Sequence, residues 1–268
     1  MLERLYPAPL LRRPLQGTYL DCNLHQQAKA GQVFIYANYI SSLDGRISLW
    51  DTQIDDYAVP KDIANGRDWR LYQELAGQCD VMLTSARYFR QLAVGKAQDL
   101  LPVGSSPDYQ DIQLWRKQQG LKAQPDVVVM SNSLDIPLEA VFALKERKII
   151  VFTTAQSSES ARRSLQDAGV EVVVAPDKVD GRFIRRMLVQ RHYRSAYMIA
   201  GPKVHHTLLA DACLDELFLT SYMALLGGKD YHTVLEDDLP QTVKMQLLSL
   251  YLDAQAGQML MRYRLEHA

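Results

Sequence analysis

Two hydrophobic patterns alternate along the chain. Short continuous apolar runs are separated by longer polar stretches whose apolar residues recur every third or fourth position. The first pattern predicts strands buried on both faces, the second amphipathic helices. Strands are expected at Val33–Ile40, Val81–Thr84, Asp126–Met130, Lys148–Thr153, Val170–Val174, Tyr197–Ala200 and Leu214–Thr220. Helices are expected at Pro60–Ala76, Arg87–Ala93, Tyr109–Gln119, Ser158–Ala168, Gly181–Arg191 and from Pro202 onward. Pro60 and Pro202 suit first helical turns, where a missing N–H is no loss. Val243–Tyr251 and Gln258–Arg264 alternate apolar and polar residues and predict an antiparallel pair. Asp21–Ala30 reads as a short helix, and polar Trp50–Val59 as a loop over a pocket.

Strands alternating with helices predict an α/β, three-layer αβα fold whose central sheet is mostly parallel. Residues 1–31 hold Pro7, Pro9 and Pro14 without periodicity and read as an N-terminal arm wrapping the domain or a partner subunit. Residues 32–268 read as a single domain. Within it, Val94–Gln124 breaks the pattern with glycine, proline and serine and reads as an insertion.

Composition narrows the function. The formal net charge of the 268 residues is −1, which favours neither nucleic acid nor an anionic membrane. No apolar run approaches the roughly 20 residues of a membrane span. Three scattered cysteines and an N-terminus unlike a secretory signal point to a reducing, cytoplasmic setting. His205 and His206 are adjacent, about 100° apart on a helix, so they do not form a metal-ligand pair. No zinc, P-loop or nucleophile-elbow motif occurs.

In open parallel sheets ligands bind outside the carboxyl ends of the strands. Gly201 and Pro202 close one such strand and open a helix, whose first amides are a ready anion site with a dinucleotide phosphate as a common occupant, although on spacing alone strand–glycine–proline–helix is more simply ordinary α/β punctuation. Gly201 supplies backbone freedom at the reversal. Lys203 opposes the helix dipole unless an anion is near, although a solvated lysine is the plainer reading. Asp44-Gly45 between two apolar runs is a tight-turn signal. The small residues Thr84 and Ser85 end a strand where a ligand could approach the backbone. Ser131 ends another, and by itself reads as a capping serine.

The chain resembles the pyrimidine reductase domain of riboflavin biosynthesis, a family similar to dihydrofolate reductase in fold. Ser42-Leu43-Asp44-Gly45-Arg46-Ile47 matches its loop after the first strand. Ala200-Gly201-Pro202, Leu208-Leu209-Ala210 and Leu214-Asp215-Glu216-Leu217 match the later pattern without a gap, and Leu226-Gly227-Gly228 matches the family's subsequent turn. The resemblance implies a dihydrofolate reductase-like fold, NADPH as cofactor, a phosphorylated aminopyrimidine substrate and a homodimer. It implies cofactor contacts from Thr84, Ser85, Ser131, Gly201, Pro202, Lys203, Val204, His205 and Thr207. His205 is alternatively a solvated helix histidine. The resemblance implies that Ser42, Leu43 and Gly45 line the substrate, with Asp44 as the catalytic residue, and Arg87 offers a cation for the phosphate. Four substrate-handling positions depart from the family, with Ala76, Tyr88, Leu92 and Ile199 in place of its arginine, threonine, aspartate and glutamate. Those departures leave two other readings: a reductase acting on another small heterocycle, and a non-catalytic binding or assembly module.

Overall fold

The computed structural model describes residues 1–97, 106–144 and 146–266. The chain opens with β1 (Leu2–Tyr6) and β2 (Leu11–Arg13), then β3 (Phe34–Ser42), β4 (Ser48–Asp51) and β5 (Asp56–Ala58). Helix α1 (Gly66–Ala76), β6 (Val81–Ser85), α2 (Ala86–Ala93), α3 (Gln110–Gln118), β7 (Asp126–Met130) and α4 (Leu138–Ala143) follow. Next come β8 (Ile149–Thr154), α5 (Glu159–Asp167), β9 (Glu171–Ala175), α6 (Gly181–Gln190), β10 (Ser195–Met198), α7 (Pro202–Ala210) and β11 (Glu216–Tyr222). The chain ends with β12 (Tyr231–His232), β13 (Lys244–Asp253) and β14 (Gln258–Glu266).

Eleven strands form one sheet in the order β2-β1-β13-β14-β11-β3-β10-β6-β7-β8-β9. From β11 to β9 every neighbouring pair is parallel. The other four strands pair antiparallel. The mixed, mostly parallel α/β sheet expected from the sequence is therefore present, with four antiparallel strands where a pair was expected. The additional two come from the N-terminal segment read as an arm. Leu2 is completely buried there, against Tyr19, Phe218 and Tyr251 among others.

Each main helix follows from a cap and an apolar stripe. The Asn65 side chain accepts from the amides of Arg67 and Asp68, starting α1, and Leu71 and Leu75 bury its inner face. That cap starts α1 at Gly66, six residues later than Pro60, whose carbonyl instead accepts from Ile63 and Ala64 in a turn. Asp180 caps α6, which buries Phe183, Ile184 and Leu188 on the opposite face of the sheet. Asp21–Ala30 is two short 3-10 turns, because Asn23 between them is left-handed at φ 48°. Trp50–Val59 is a hairpin of β4 and β5 rather than a bare loop, and β12 joins it in a small second sheet. Of the insertion expected at Val94–Gln124, residues 98–105 lie outside the described residues, and α3 occupies part of the remainder.

Candidate active site

The carboxyl ends of β3, β6, β7 and β10 place Ser42, Thr84, Ser85, Ser131 and Gly201 on one edge of the sheet. The Ile199 amide donates to the Leu83 carbonyl at 3.0 Å, carrying the β10–β6 ladder up to the Gly201 turn. Beyond it, α7 starts with Pro202 in its first turn. The amides of Gly201 and Lys203 make no hydrogen bond among the described residues. Gly201 is exposed, and a Cβ added there meets nothing within 4 Å. Its φ of −70° and ψ of −174° are open to any residue, which corrects the expectation of backbone freedom. Glycine at this position leaves open space over free amides.

The Asp44 loop is held by its own carboxylate. Asp44 accepts from Ser42 Oγ at 2.5 Å, Gly227 N at 2.8 Å and Leu226 N at 3.2 Å, and pairs with Arg46 Nη1 at 2.9 Å. Arg46 also donates through Nε to the Gly227 carbonyl at 2.5 Å and lies over the Tyr231 ring. Gly45 takes the left-handed conformation at φ 81° that closes the turn. The Ser42 hydroxyl and the Gly227 amide pull the Asp44 carboxyl down to about 2. It therefore holds no proton near neutral pH, and its geometry is that of a clamp between two loops.

Segment 224–238 links this loop to α7. The Leu43 amide donates to Ala224 O at 2.9 Å, and Ile47 N to His232 O at 2.9 Å. Farther along, His205 Nδ1 bonds Val234 O at 2.7 Å and His206 Nε2 bonds Asp238 O at 2.9 Å. Nothing in the sequence pattern marks this bridge apart from the Leu226-Gly227-Gly228 turn.

Several candidate side chains are already engaged. His205 is 1% exposed, packed on Tyr39 at 5.1 Å between ring centroids, so it is neither solvated nor turned toward a phosphate. Burial pushes its pKa down to about 4. Because this value lies below that of an unfolded histidine, the neutral ring adds stability above pH ~6.5 that is lost as pH falls toward 4. The stability difference between the wild type and His205→Phe, read from urea midpoints, is expected to shift by about 1.4 kcal/mol per pH unit in that window. A difference independent of pH would contradict a buried neutral ring.

Arg87 meets Asp56, with Nε 2.9 Å from Oδ2, and donates to the Tyr57 carbonyl, fixing the β4–β5 hairpin on α2. Ser131 Oγ accepts from Leu134 N at 3.0 Å, the capping role. Thr207 Oγ1 donates to Lys203 O at 2.9 Å within α7. Thr84 is buried and Ser85 half-buried; Pro202 and Val204 are half-buried and Lys203 exposed at the helix start. Ala76 ends α1 and its carbonyl faces Arg116 near Cys79, toward the amino edge of the sheet. An arginine there would face away from the carboxyl edge. A cavity of about 330 Å³ lies at that amino edge too, lined by Asp80, Arg116, Lys122, Asp126 and Lys148 among others. Two of its lysines are paired within the protein, Lys122 with Asp126 and Lys148 with Glu171.

The model of the RibD C-terminal domain matches residues 33–256. The chain belongs to the RibD C-terminal domain family. Solved structures agree in fold. A pyrimidine reductase-like protein from Corynebacterium diphtheriae is 23% identical, with TM-score 0.69 over 88% of this chain and 93% of that one. The riboflavin biosynthesis reductase Rib7 of Saccharomyces cerevisiae is 17% identical, with TM-score 0.60 over 93% and 99%. The third is a diaminohydroxyphosphoribosylaminopyrimidine deaminase/5-amino-6-(5-phosphoribosylamino)uracil reductase from Thermotoga maritima. It is 18% identical, with TM-score 0.55 over 87% of this chain and 56% of its own length. The chain thus spans about half of that two-activity protein. At these identities the structural likeness speaks to fold, and the family match to a riboflavin-pathway reductase. No helix among the described residues is long and apolar enough to cross a membrane.

The family setting gives the clamp a place. In this RibD C-terminal domain the matched Ser42–Ile47 loop is tied to the matched Leu226–Gly228 turn, two motifs far apart in sequence. Asp68 and Thr220, which join at 2.6 Å between α1 and β11, went unmarked in the sequence. An aspartate in a first helical turn reads there simply as favourable to the helix dipole.

Proposed function

We propose that the protein is an NADPH-dependent reductase of 5-amino-6-(5-phosphoribosylamino)uracil or a close analogue, with hydride delivered to the ribosyl carbon. The observation that carries this reading is the pair of free amides at the start of α7 beneath open space, on the same edge as the family loop. NADPH, when bound, supplies the hydride. The amides of Gly201 and Lys203 and the Lys203 side chain would hold its pyrophosphate. Thr84, Ser85, Ser131, Pro202 and Val204 would shape the groove around it. Ser42, Leu43 and Gly45 would cover the reacting end, held in place by Asp44. His205 and Thr207 would act from beneath by fixing α7.

A homodimer and a cytoplasmic setting belong to the same proposal. Leu250 and Leu252 of β13 and Met259 and Met261 of β14 stay half-exposed on the sheet, an apolar face suited to a second copy. All three cysteines are free, in keeping with a reducing compartment.

Gly201→Ala tests the cofactor site. The protein has room for the methyl group and the backbone angles permit it, so the melting temperature should hold or rise slightly. The new Cβ would stand where a phosphate must approach, so the Kd for NADPH by fluorescence titration should rise at least ~10-fold. Unchanged affinity would remove Gly201 from the site. Failure of the wild type to bind or oxidise NADPH with the aminouracil substrate would remove the reductase reading.

A further inference from the structure

We infer that His205 is a positioning residue of the proposed reaction: its buried ring ties the Gly201 turn to segment 224–238 and so sets how far that turn stands from the Asp44 loop. This rests on the reductase reading above, in which the turn holds the cofactor and the loop covers the reacting end.

His205 is the fourth residue of α7, and its amide closes the first helical turn on the Gly201 carbonyl at 3.4 Å. Its ring lies inside, against Tyr39 of β3. The Tyr39 hydroxyl donates to the Ala200 carbonyl at 3.2 Å, and Tyr39 stands three residues before Ser42 on its strand. The Gly201 turn is thereby gripped on both sides of the glycine, at Ala200 from β3 and at His205 from segment 224–238.

A carbonyl oxygen can only accept, so the 2.7 Å contact of Nδ1 with Val234 O fixes the proton on Nδ1. Nε2 is then a bare acceptor, buried without a hydrogen-bond partner among the described residues. A phenyl ring would fill the same space with no stranded nitrogen. What the imidazole adds over it is the bond to Val234.

The far end of that bond is built to receive it. Val234 lies in a turn where Glu236 Oε1 accepts from Thr233 N at 3.2 Å and meets His232 Nδ1 at 2.5 Å, and Thr233 Oγ1 donates to Leu235 O at 2.6 Å. Residues 223–240 hold two residues of strand, β12, and are otherwise irregular, so their place depends on what ties them. On the loop side Asp44 accepts from the Leu226 and Gly227 amides, while Ile47 N and Trp50 N bond His232 O and Asp230 O. On the α7 side the side-chain bonds are those of His205 and His206, and that of His206 is at the surface. His205 is thus the buried link between the turn and the Asp44 clamp. A shift of about 1 Å between two such parts is enough to slow a positioned reaction about 100-fold.

Two variants separate this link from packing. His205→Asn sets its amide nitrogen where Nδ1 stands and keeps the bond, but leaves a void. His205→Phe fills the space and loses the bond. Melting temperature should therefore rank Phe above Asn, and kcat should rank them in reverse. In His205→Phe kcat is expected to fall at least ~10-fold, with His205→Asn within about threefold of wild type. The Kd for NADPH by fluorescence should stay within about threefold in both, since the Gly201 and Lys203 amides remain. In the free protein, hydrogen exchange at the Leu226 and Gly227 amides should quicken at least ~10-fold in His205→Phe and not in His205→Asn. Unchanged exchange in His205→Phe, or a kcat that follows stability across the two variants, overturns the inference and leaves the reductase reading intact. If the wild type oxidises no NADPH, that reading falls, and the exchange rates alone decide whether His205 holds the clamp: faster exchange in His205→Phe upholds the link, unchanged exchange overturns it.

Discussion

Asp44→Ala is expected to lower kcat/KM of the reductase reaction about 100-fold while the melting temperature moves by only a few degrees. The carboxylate ties Ser42 and Arg46 on one side to the amides of Leu226 and Gly227 on the other. Its loss leaves the tip of the β3 loop held to segment 224–238 only by the bonds of Leu43, Arg46 and Ile47, so the loop can shift. A misplacement of about 1 Å at a hydride-transfer site is enough for a loss of that size. Stability should change little, because the loop is at the surface. The carboxyl, held near 2, stays charged across the working pH range. The kcat profile of the wild type should accordingly show no ionisation from Asp44 above pH ~4. Asp44→Asn keeps an acceptor for one amide and should fall between. Activity of Asp44→Ala within threefold of wild type would show that the clamp does not position the reacting groups.

Glu74→Ala is expected to destabilise the protein by about 3–5 kcal/mol, measured as a urea-midpoint shift at constant m-value. Glu74 is fully buried in α1. Its carboxylate accepts from Gly17 N at 2.6 Å, Tyr19 N at 2.9 Å and Arg70 Nε at 2.9 Å. Truncation strands two amides of the N-terminal segment and half of a guanidinium, all away from water. The Gln78 side chain makes the companion contacts, accepting from Leu24 N at 2.9 Å and donating to Tyr19 O at 2.7 Å. Loosening this corner should also expose residues 14–27 to protease before the rest of the chain. Glu74→Gln, which retains acceptors for the amides, should lose less. A loss under 1 kcal/mol would mean that the segment is held by Leu2, Leu24 and the strand pairing alone.

The local pattern carried most of the sheet. Runs such as Asp126–Met130 and Lys148–Thr153 admit one reading, since a short β-branched stretch flanked by helical periodicity has to be a buried parallel strand. Boundaries moved where a cap outweighed a proline, as at Asn65 over Pro60. Strands β1, β2, β4, β5 and β12 were hidden because a strand of two to five residues shows no periodicity. Partners far along the chain decide it.

From sequence alone came the parallel α/β plan, the position of the Gly201 turn and the Asp44 loop, and the family. These rest on backbone preferences and near-neighbour spacing, which act over a few residues. Tertiary structure alone decided what each polar side chain faces. It turned His205 inward, paired Arg87 with Asp56, and tied Asp44 to Gly227 across 183 positions of chain. It also sealed Asp68 against Thr220. Hydrogen bonds and burial depend on which distant segments meet, and that information exists only once the sheet has assembled.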